Sequence, residues 1–205
     1  MPTIDPKKEL KHLYFPSKRD IVLVDVPSTK FFMINGSDDP STSESYQQAL
    51  EALYGVAYTL KFDLKKKGVR PGFTVMPLEG LWWMANRENF NIEDKHNWSC
   101  TSMIMQPDHI TAGQVIGAMD QLREKKDPPA LDNMRFETYN GSLSAQIMHM
   151  GPYAEEEPTI KKLHLFVEEQ GYKPHKKHHE IYLGDPRRTK PENLKTVIRQ
   201  PVTKV

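Results

Sequence analysis

The run EEQGYKP, Glu168–Pro174, repeats the pattern of an earlier run, KKKGVRP, Lys65–Pro71: a glycine, two residues, then a proline. Each run closes a stretch with helical periodicity. Glycine suits the left-handed residue that ends a helix, and the proline bars further helix. Upstream of the first run, Tyr46, Ala49, Leu50, Leu53, Ala57, Leu60 and Leu64 recur at helical spacing, which predicts a helix over 44–67. Upstream of the second, Ile160, Leu163 and Val167 form one face, and Pro158 is tolerated in the first turn.

Outward from these helices the two halves continue alike. DIVLVDVPSTKFFMING precedes the first helix and reads as two short strands or one bent strand, interrupted at Pro27. MRFETYNGSLSAQIMHMGPY precedes the second and is strand-like. After the first helix come GFTVMPLEGLWWMA and NWSCTSMIMQP, and after the second HHEIYLG and LKTVIRQPV. The order strand, helix, strand, strand therefore occurs twice. It predicts an α+β fold in which two pseudo-symmetric strand-helix-strand-strand repeats form one domain with a central ligand cleft. The predicted divisions are an N-terminal arm, 1–19, read as an arm or an ill-ordered start, and a domain over 20–205. Within that domain lie repeat one (20–106), a linking helix (110–126) and repeat two (133–202).

Local signals refine the elements. Ser41 and Glu44 have the spacing of a capping box, Lys65–Lys67 suit a helix C-terminus, and Asp108 is placed to cap the linking helix. Val115, Met119 and Leu122 share a face of that helix. Tyr54, Tyr58 and Phe62 make a second row along the first helix, expected to pack under the sheet.

Composition excludes several classes. The chain has 205 residues and a formal net charge of +1, so it carries no basic footprint for nucleic acid. No apolar run approaches the ~20 residues of a membrane helix, and the N-terminus lacks the apolar core of a secretory leader. Cys100 is the single cysteine, which forbids an internal disulfide and makes the cytoplasm the default compartment. It has no sequence partner marking a nucleophile, and reads as a buried structural thiol.

In HHEIYLG, strand alternation puts His178, Glu180 and Tyr182 on one side and His179, Ile181 and Leu183 on the other. Glu180 with Tyr182 is the leading catalytic candidate. A carboxylate in an apolar pocket is expected to have a raised pKa, as a general base near neutral pH requires, and a tyrosine beside it can donate a hydrogen bond or stack on a ligand. Trp82 and Trp83 alternate sides, and parity groups Trp83 with Glu79. The preferred reading puts Trp83 and Glu79 in the cleft, while a bulge at Gly80 would bring Trp82 there instead. Trp98, Tyr153 and Tyr139 are further ligand-binding candidates, since aromatic walls bind flat and cationic ligands. His175, His178 and His179 lack a second cluster at ligand spacing, so no metal is expected, and they read as a solvated strand edge.

The stretch MHMGPYAEEEPTIKKLHLFVEEQGYKP followed by HHEIYLGDP, with KFFMING, the long helix and LEGLWWMA in the first half, resembles the GyrI-like small-molecule-binding family over roughly residues 20–202. The resemblance implies two strand–helix–strand–strand repeats, a cleft for hydrophobic, often cationic, compounds, and a buried glutamate anchor at the position of Glu180. Many members are fused to DNA-binding segments. The short arm here leaves no room for one, so no direct contact with nucleic acid is expected. GLWWMA and Trp98 are similar to a stand-alone subgroup that hydrolyses the cyclopropane of DNA-alkylating compounds without a cofactor. Two readings follow: such a hydrolase, or a non-catalytic module that sequesters or senses drugs or binds a partner. The expected partner is a hydrophobic small molecule, with no membrane, and the chain is a monomer or a homodimer.

Overall fold

The computed structural model describes residues 3–37, 39–84 and 98–205. Strands β2 (Val22–Asp25) and β3 (Thr29–Ser37) lead to helix α3 (Glu44–Lys66) and strands β4 (Gly72–Phe73), β5 (Leu78–Met84) and β6 (Trp98–Gln106). Helix α4 (Ala112–Lys125) links these to β7 (Arg135–Tyr139) and β8 (Leu143–Met150). Helix α5 (Glu157–Glu169), β9 (Tyr172–Pro174), β10 (His178–Tyr182) and β11 (Lys195–Lys204) complete the chain.

One large antiparallel sheet has the order β2-β8-β11-β10-β5-β6-β3-β7, with β9 paired to β11. On either side of the central β10–β5 pair the connectivity is the same: β10, β11, β8 on one side and β5, β6, β3 on the other. The two helix ends behave as the matched runs predict, with Gly68 at φ 70° and Gly171 at φ 75°. Replacing either glycine with alanine is expected to cost about 1 kcal/mol, readable as a shift in the urea midpoint.

The sheet cannot be flat. Five strands lie between β2 and β3, which in a flat sheet means a separation of roughly 29 Å. Yet Asp25 and Thr29 are joined by four peptide units, a reach of about 14 Å at most. The sheet therefore curls until its two ends approach. The β7–β8 connection crosses at the same place, where Gly141 lies so close to Val26 that a Cβ would sit 2.0 Å from the Val26 carbonyl oxygen.

Curling gives the sheet an inner and an outer face. Phe31, Met33, Leu81, Met103, Met105, Met148, Ile181 and Val197 fill the inner face. The outer face carries the helices. Helix α3 packs Leu53, Val56 and Leu60 into the same core as Phe32 and Ile104, while α5 packs Ile160, Leu163 and Val167 on Ala145, Ile147, Ile198 and Val202. The middle of the outer face, over β10 and β5, lies between the two helices.

Several local expectations are corrected. The arm is not ill-ordered: β1 (Thr3–Ile4) pairs with β4, and the short helices α1 (Pro6–Glu9) and α2 (Lys11–Tyr14) bury Leu13 and Tyr14 against the inner face. Ser43, not Ser41, caps α3, because Ser41 is engaged by the Asp39 carboxylate one turn earlier. Thr111, with Gln114, caps α4 in place of Asp108. Tyr58 and Phe62 do not pack under the sheet. They are 46% and 58% exposed and stack on each other, with Tyr54, along the outer side of α3.

Candidate functional site

Pairing fixes which side chains meet. In the antiparallel register Glu180 faces Gly80 on β5 and Ile198 on β11, and His178 faces Trp82. Cross-strand partners share a face, so Glu180, Tyr182, His178, Gly80 and Trp82 all belong to the outer face between α3 and α5. Because β10 is central in the sheet, His178 and His179 are buried. This corrects the expectation of a solvated edge.

Glu180 is 7% exposed and both its oxygens are engaged. Its Oε1 lies 3.1 Å from His178 Nε2, and its Oε2 accepts from the Tyr182 hydroxyl at 2.7 Å. The Tyr182 hydroxyl in turn accepts from Trp82 Nε1 at 2.9 Å. Gly80 makes room for this chain: a Cβ there would sit 2.6 Å from Trp82 Nε1 and 3.1 Å from the Tyr182 oxygen. Gly80→Ala is therefore expected to displace the indole and break its hydrogen bond to Tyr182, readable as a shift in tryptophan fluorescence, while far-UV circular dichroism keeps its shape.

Aromatic rings close over the carboxylate. Trp98 lies 5.5 Å from Trp82 and Tyr46 lies 6.3 Å from it on the helix side, while Tyr153 meets Tyr182 edge-on at 5.4 Å. Burial, with Glu180 and Glu156 adding to it, raises the Tyr182 hydroxyl well above its ordinary pKa. Burial likewise raises Tyr46, and pushes Tyr153 up to about 12. All three phenols therefore stay neutral and able to donate. Burial pushes the Glu180 carboxyl up, but the His178 hydrogen bond and charge and the Tyr182 hydroxyl outweigh it and hold it below the usual carboxylate range. The raised pKa expected from burial alone is thus corrected: desolvation is overcome by donors to the charged form.

Glu79, Trp83 and Tyr139 are elsewhere. No bulge interrupts the β5–β10 or β5–β6 register, so Glu79 and Trp83 project from the inner face while Trp82 takes the outer one. The preferred placement of Trp83 and Glu79 beside Glu180 is corrected accordingly, since alternation along β5 separates them from the Gly80–Trp82 side. Glu79, 1% exposed, receives the Tyr14 hydroxyl at 2.8 Å and contacts His179 Nε2 at 2.8 Å. Arg199 donates to Gln146 Oε1 at 3.0 Å and to the Leu13 carbonyl at 2.7 Å. Tyr139 meets His179 edge-on at 6.0 Å and lines, with Glu79 and Arg199, a cavity of about 20 Å³, room for about one water. Trp83 lies under the Lys177 ammonium at 3.1 Å.

Three residues beside Glu180 escape sequence reasoning. Tyr46 reads as one more apolar helix position. His178 shares the right parity but reads as part of a solvated strand edge. Glu156 sits in a run of three glutamates, and only the turn at Tyr153–Glu155 carries it inward to a buried place close enough to influence Tyr153 and Tyr182. Among the described residues no group of three or more His, Cys, Asp or Glu is placed to hold a metal ion, and no helix is long and apolar enough to cross a membrane.

A curled antiparallel sheet with two helices flanking an aromatic-capped buried carboxylate defines a small-molecule-binding α+β domain. The GyrI-like small molecule binding domain model matches residues 19–203, and the chain belongs to that family. An uncharacterized conserved protein from Listeria innocua is 36% identical, with TM-score 0.90 and coverage of 98% of this chain and 100% of the other. A protein described as a hydrolase from Listeria innocua is also 36% identical, with TM-score 0.84 and the same coverage. The C-terminal domain of EcmrR shares the fold at 14% identity and TM-score 0.56, over 91% of this chain and 98% of that domain. No curated protein matches the chain.

Proposed function

We propose that the outer-face site binds hydrophobic, planar or cationic xenobiotics over Glu180 and hydrolyses the strained cyclopropane of DNA-alkylating compounds, which would protect the cell. The observation that carries this reading is the buried Glu180 carboxylate, held ionised beneath Trp82, Trp98, Tyr46, Tyr153 and Tyr182. Flat rings bind such walls through area and quadrupole, and cations bind their faces. In the reaction, a water oxygen attacks a cyclopropane carbon and one ring bond breaks. Its electron pair moves into the conjugated carbonyl, whose oxygen takes up a proton from solvent, matched by the one that Glu180 takes from the attacking water and then gives back to solvent. Glu180 orients the water and takes its proton. A neutral phenol facing the carbonyl stabilises the developing oxyanion. The description of a 36% identical relative as a hydrolase supports the enzymatic reading.

One observation favours a second reading. A carboxylate held below its usual pKa is a weak base but a strong counter-charge, which suits a module that binds and sequesters drugs without chemistry. The two readings separate in one experiment. The purified protein is incubated with a cyclopropane-bearing alkylator, and the products are analysed by mass. A gain of one water that disappears in Glu180→Gln, with binding of a neutral planar analogue retained, supports the hydrolase. Saturable binding with no added water supports the sequestering module.

A further inference from the structure

Buried polar side chains of the inner face are aimed at one short segment of the arm. Gln146 Nε2 donates to the His12 carbonyl at 2.7 Å, Arg199 donates to the Leu13 carbonyl at 2.7 Å, and Glu79 Oε1 accepts from the Tyr14 hydroxyl at 2.8 Å. Gln146, Arg199 and Glu79 come from three strands, β8, β11 and β5, and all three are buried. We propose that the inner face is a second ligand site, for neutral phenols, and that Tyr14 is its built-in occupant, which a phenol displaces together with the arm.

The inner trio copies the outer one. Glu180 meets the Tyr182 hydroxyl and His178 Nε2, and on the neighbouring strand Glu79 meets the Tyr14 hydroxyl and His179 Nε2. The difference lies in where the phenol comes from. Tyr182 stands two residues from Glu180 on the same strand, whereas Tyr14 lies 65 residues from Glu79 and is delivered by the arm. Without Tyr14, Glu79 Oε1 loses its donor in a buried place, which is costly. A hydroxyl repairs that loss. Arg199 already stands in the field of Glu79, so the occupant needs to bring a donor and no charge. The walls suit a ring: Met105 Sδ lies 3.5 Å from the Tyr14 oxygen, and Phe31 and Tyr139 line the cavity of about 20 Å³ alongside. That space lets a ligand exceed the tyrosine ring by about one methyl group.

The arm is a separable piece. Helices α1 and α2 have four residues each, and β1 pairs through two. Helices that short do not persist by themselves in water. The N–H groups of Leu13 and Tyr14 donate to the Leu10 carbonyl, and that of Phe15 to the Lys11 carbonyl. These bonds last while the arm is docked, so exchange of their hydrogens with solvent reports undocking.

The probe is para-cresol, which is the tyrosine ring and hydroxyl with one methyl group. The comparison is para-methylanisole, which keeps the ring but has no hydroxyl hydrogen. Hydrogen–deuterium exchange of the full chain is read by mass on a peptide spanning residues 8–15. A phenol in the vacated site holds the arm undocked. Exchange in the peptide should therefore rise in proportion to 1 + [phenol]/Kd, about tenfold at about nine times Kd, while exchange in β11 is unchanged. The anisole should leave the peptide as it was. Tyr14→Phe keeps the ring and loses only the hydroxyl, and its arm should exchange about tenfold faster without any ligand. Glu180→Gln should respond to para-cresol as wild type does, because the outer carboxylate takes no part. A peptide that does not respond to para-cresol in wild type overturns the proposal. An equal response to the anisole, or a Tyr14→Phe arm that exchanges at the wild-type rate, also overturns it. A response lost in Glu180→Gln would put the phenol on the outer face, overturning the inner site and leaving the reading of the outer one standing.

Discussion

Arg199→Leu is expected to lower the free energy of unfolding by about 3–5 kcal/mol. Arg199 is buried on the inner face, donates to Gln146 and to the Leu13 carbonyl, and lies in the field of Glu79. Removing the guanidinium leaves two buried acceptors without their donor and takes away the cation near a carboxylate that is 1% exposed. Leucine fills part of the volume but repairs neither loss. Arg199→Lys should recover only part of the stability, because an ammonium lacks the planar fork that reaches both acceptors. Urea denaturation measures both, and a midpoint for Arg199→Leu within error of wild type would contradict the account.

The same network sets an acid limit. Burial, the leading cause, keeps His179 below the ordinary imidazole pKa, against the pull of Glu79. The unfolded chain therefore takes up a proton on this residue at higher pH than the folded one. Stability from His179 is fully present above the unfolded value of about 6.5 and is lost as pH falls from there towards the folded value. Glu180, also lowered, adds a second loss below the unfolded carboxylate value of about 4.3. Thermal melts from pH 8 to pH 4 should show a midpoint that begins to fall below about 6.5. A midpoint flat down to pH 5 would contradict the assignment of His179.

Glu180→Gln is expected to weaken planar cations about 10- to 100-fold, the worth of a buried charge-assisted contact. Neutral planar ligands should change by less than about threefold. The amide keeps an acceptor for Tyr182, so the tyrosine–indole chain holds and the aromatic walls stay in place. The difference between the two ligand classes isolates the charge. Equal losses for both would mean that the variant had collapsed the site rather than removed a counter-ion. Titrations with one ligand of each class, read by tryptophan fluorescence, make the measurement.

Much of the fold is legible because its signals are local. The two Gly-x-x-Pro runs mark helix ends, and the apolar spacing of α3 and α5 marks their buried faces. The face shared by Glu180, Tyr182 and His178 follows from strand alternation alone. The site is less legible because it is assembled across strands. Whether Trp82 or Trp83 joins Glu180 depends on the pairing of β10 with β5, and one residue of slip would exchange them. Glu156 is indistinguishable in sequence from its neighbours in a glutamate run, and only a turn decides that it points inward.

By itself, then, the sequence determined the element order, the helix ends and the parity of each strand. Each of these depends on residues within a few positions of one another, where backbone geometry is fixed by the chain's own sterics. The tertiary structure alone decided that the sheet curls, that His178 and His179 lie at its centre, and that Glu79 and Glu180 back onto opposite faces. It also decided the charge state of Glu180. Burial by itself would have raised that pKa, and only the arrival of His178 and Tyr182 at hydrogen-bond distance reversed the sign. Pairing and desolvation are sums over groups distant in sequence, so no local reading contains them.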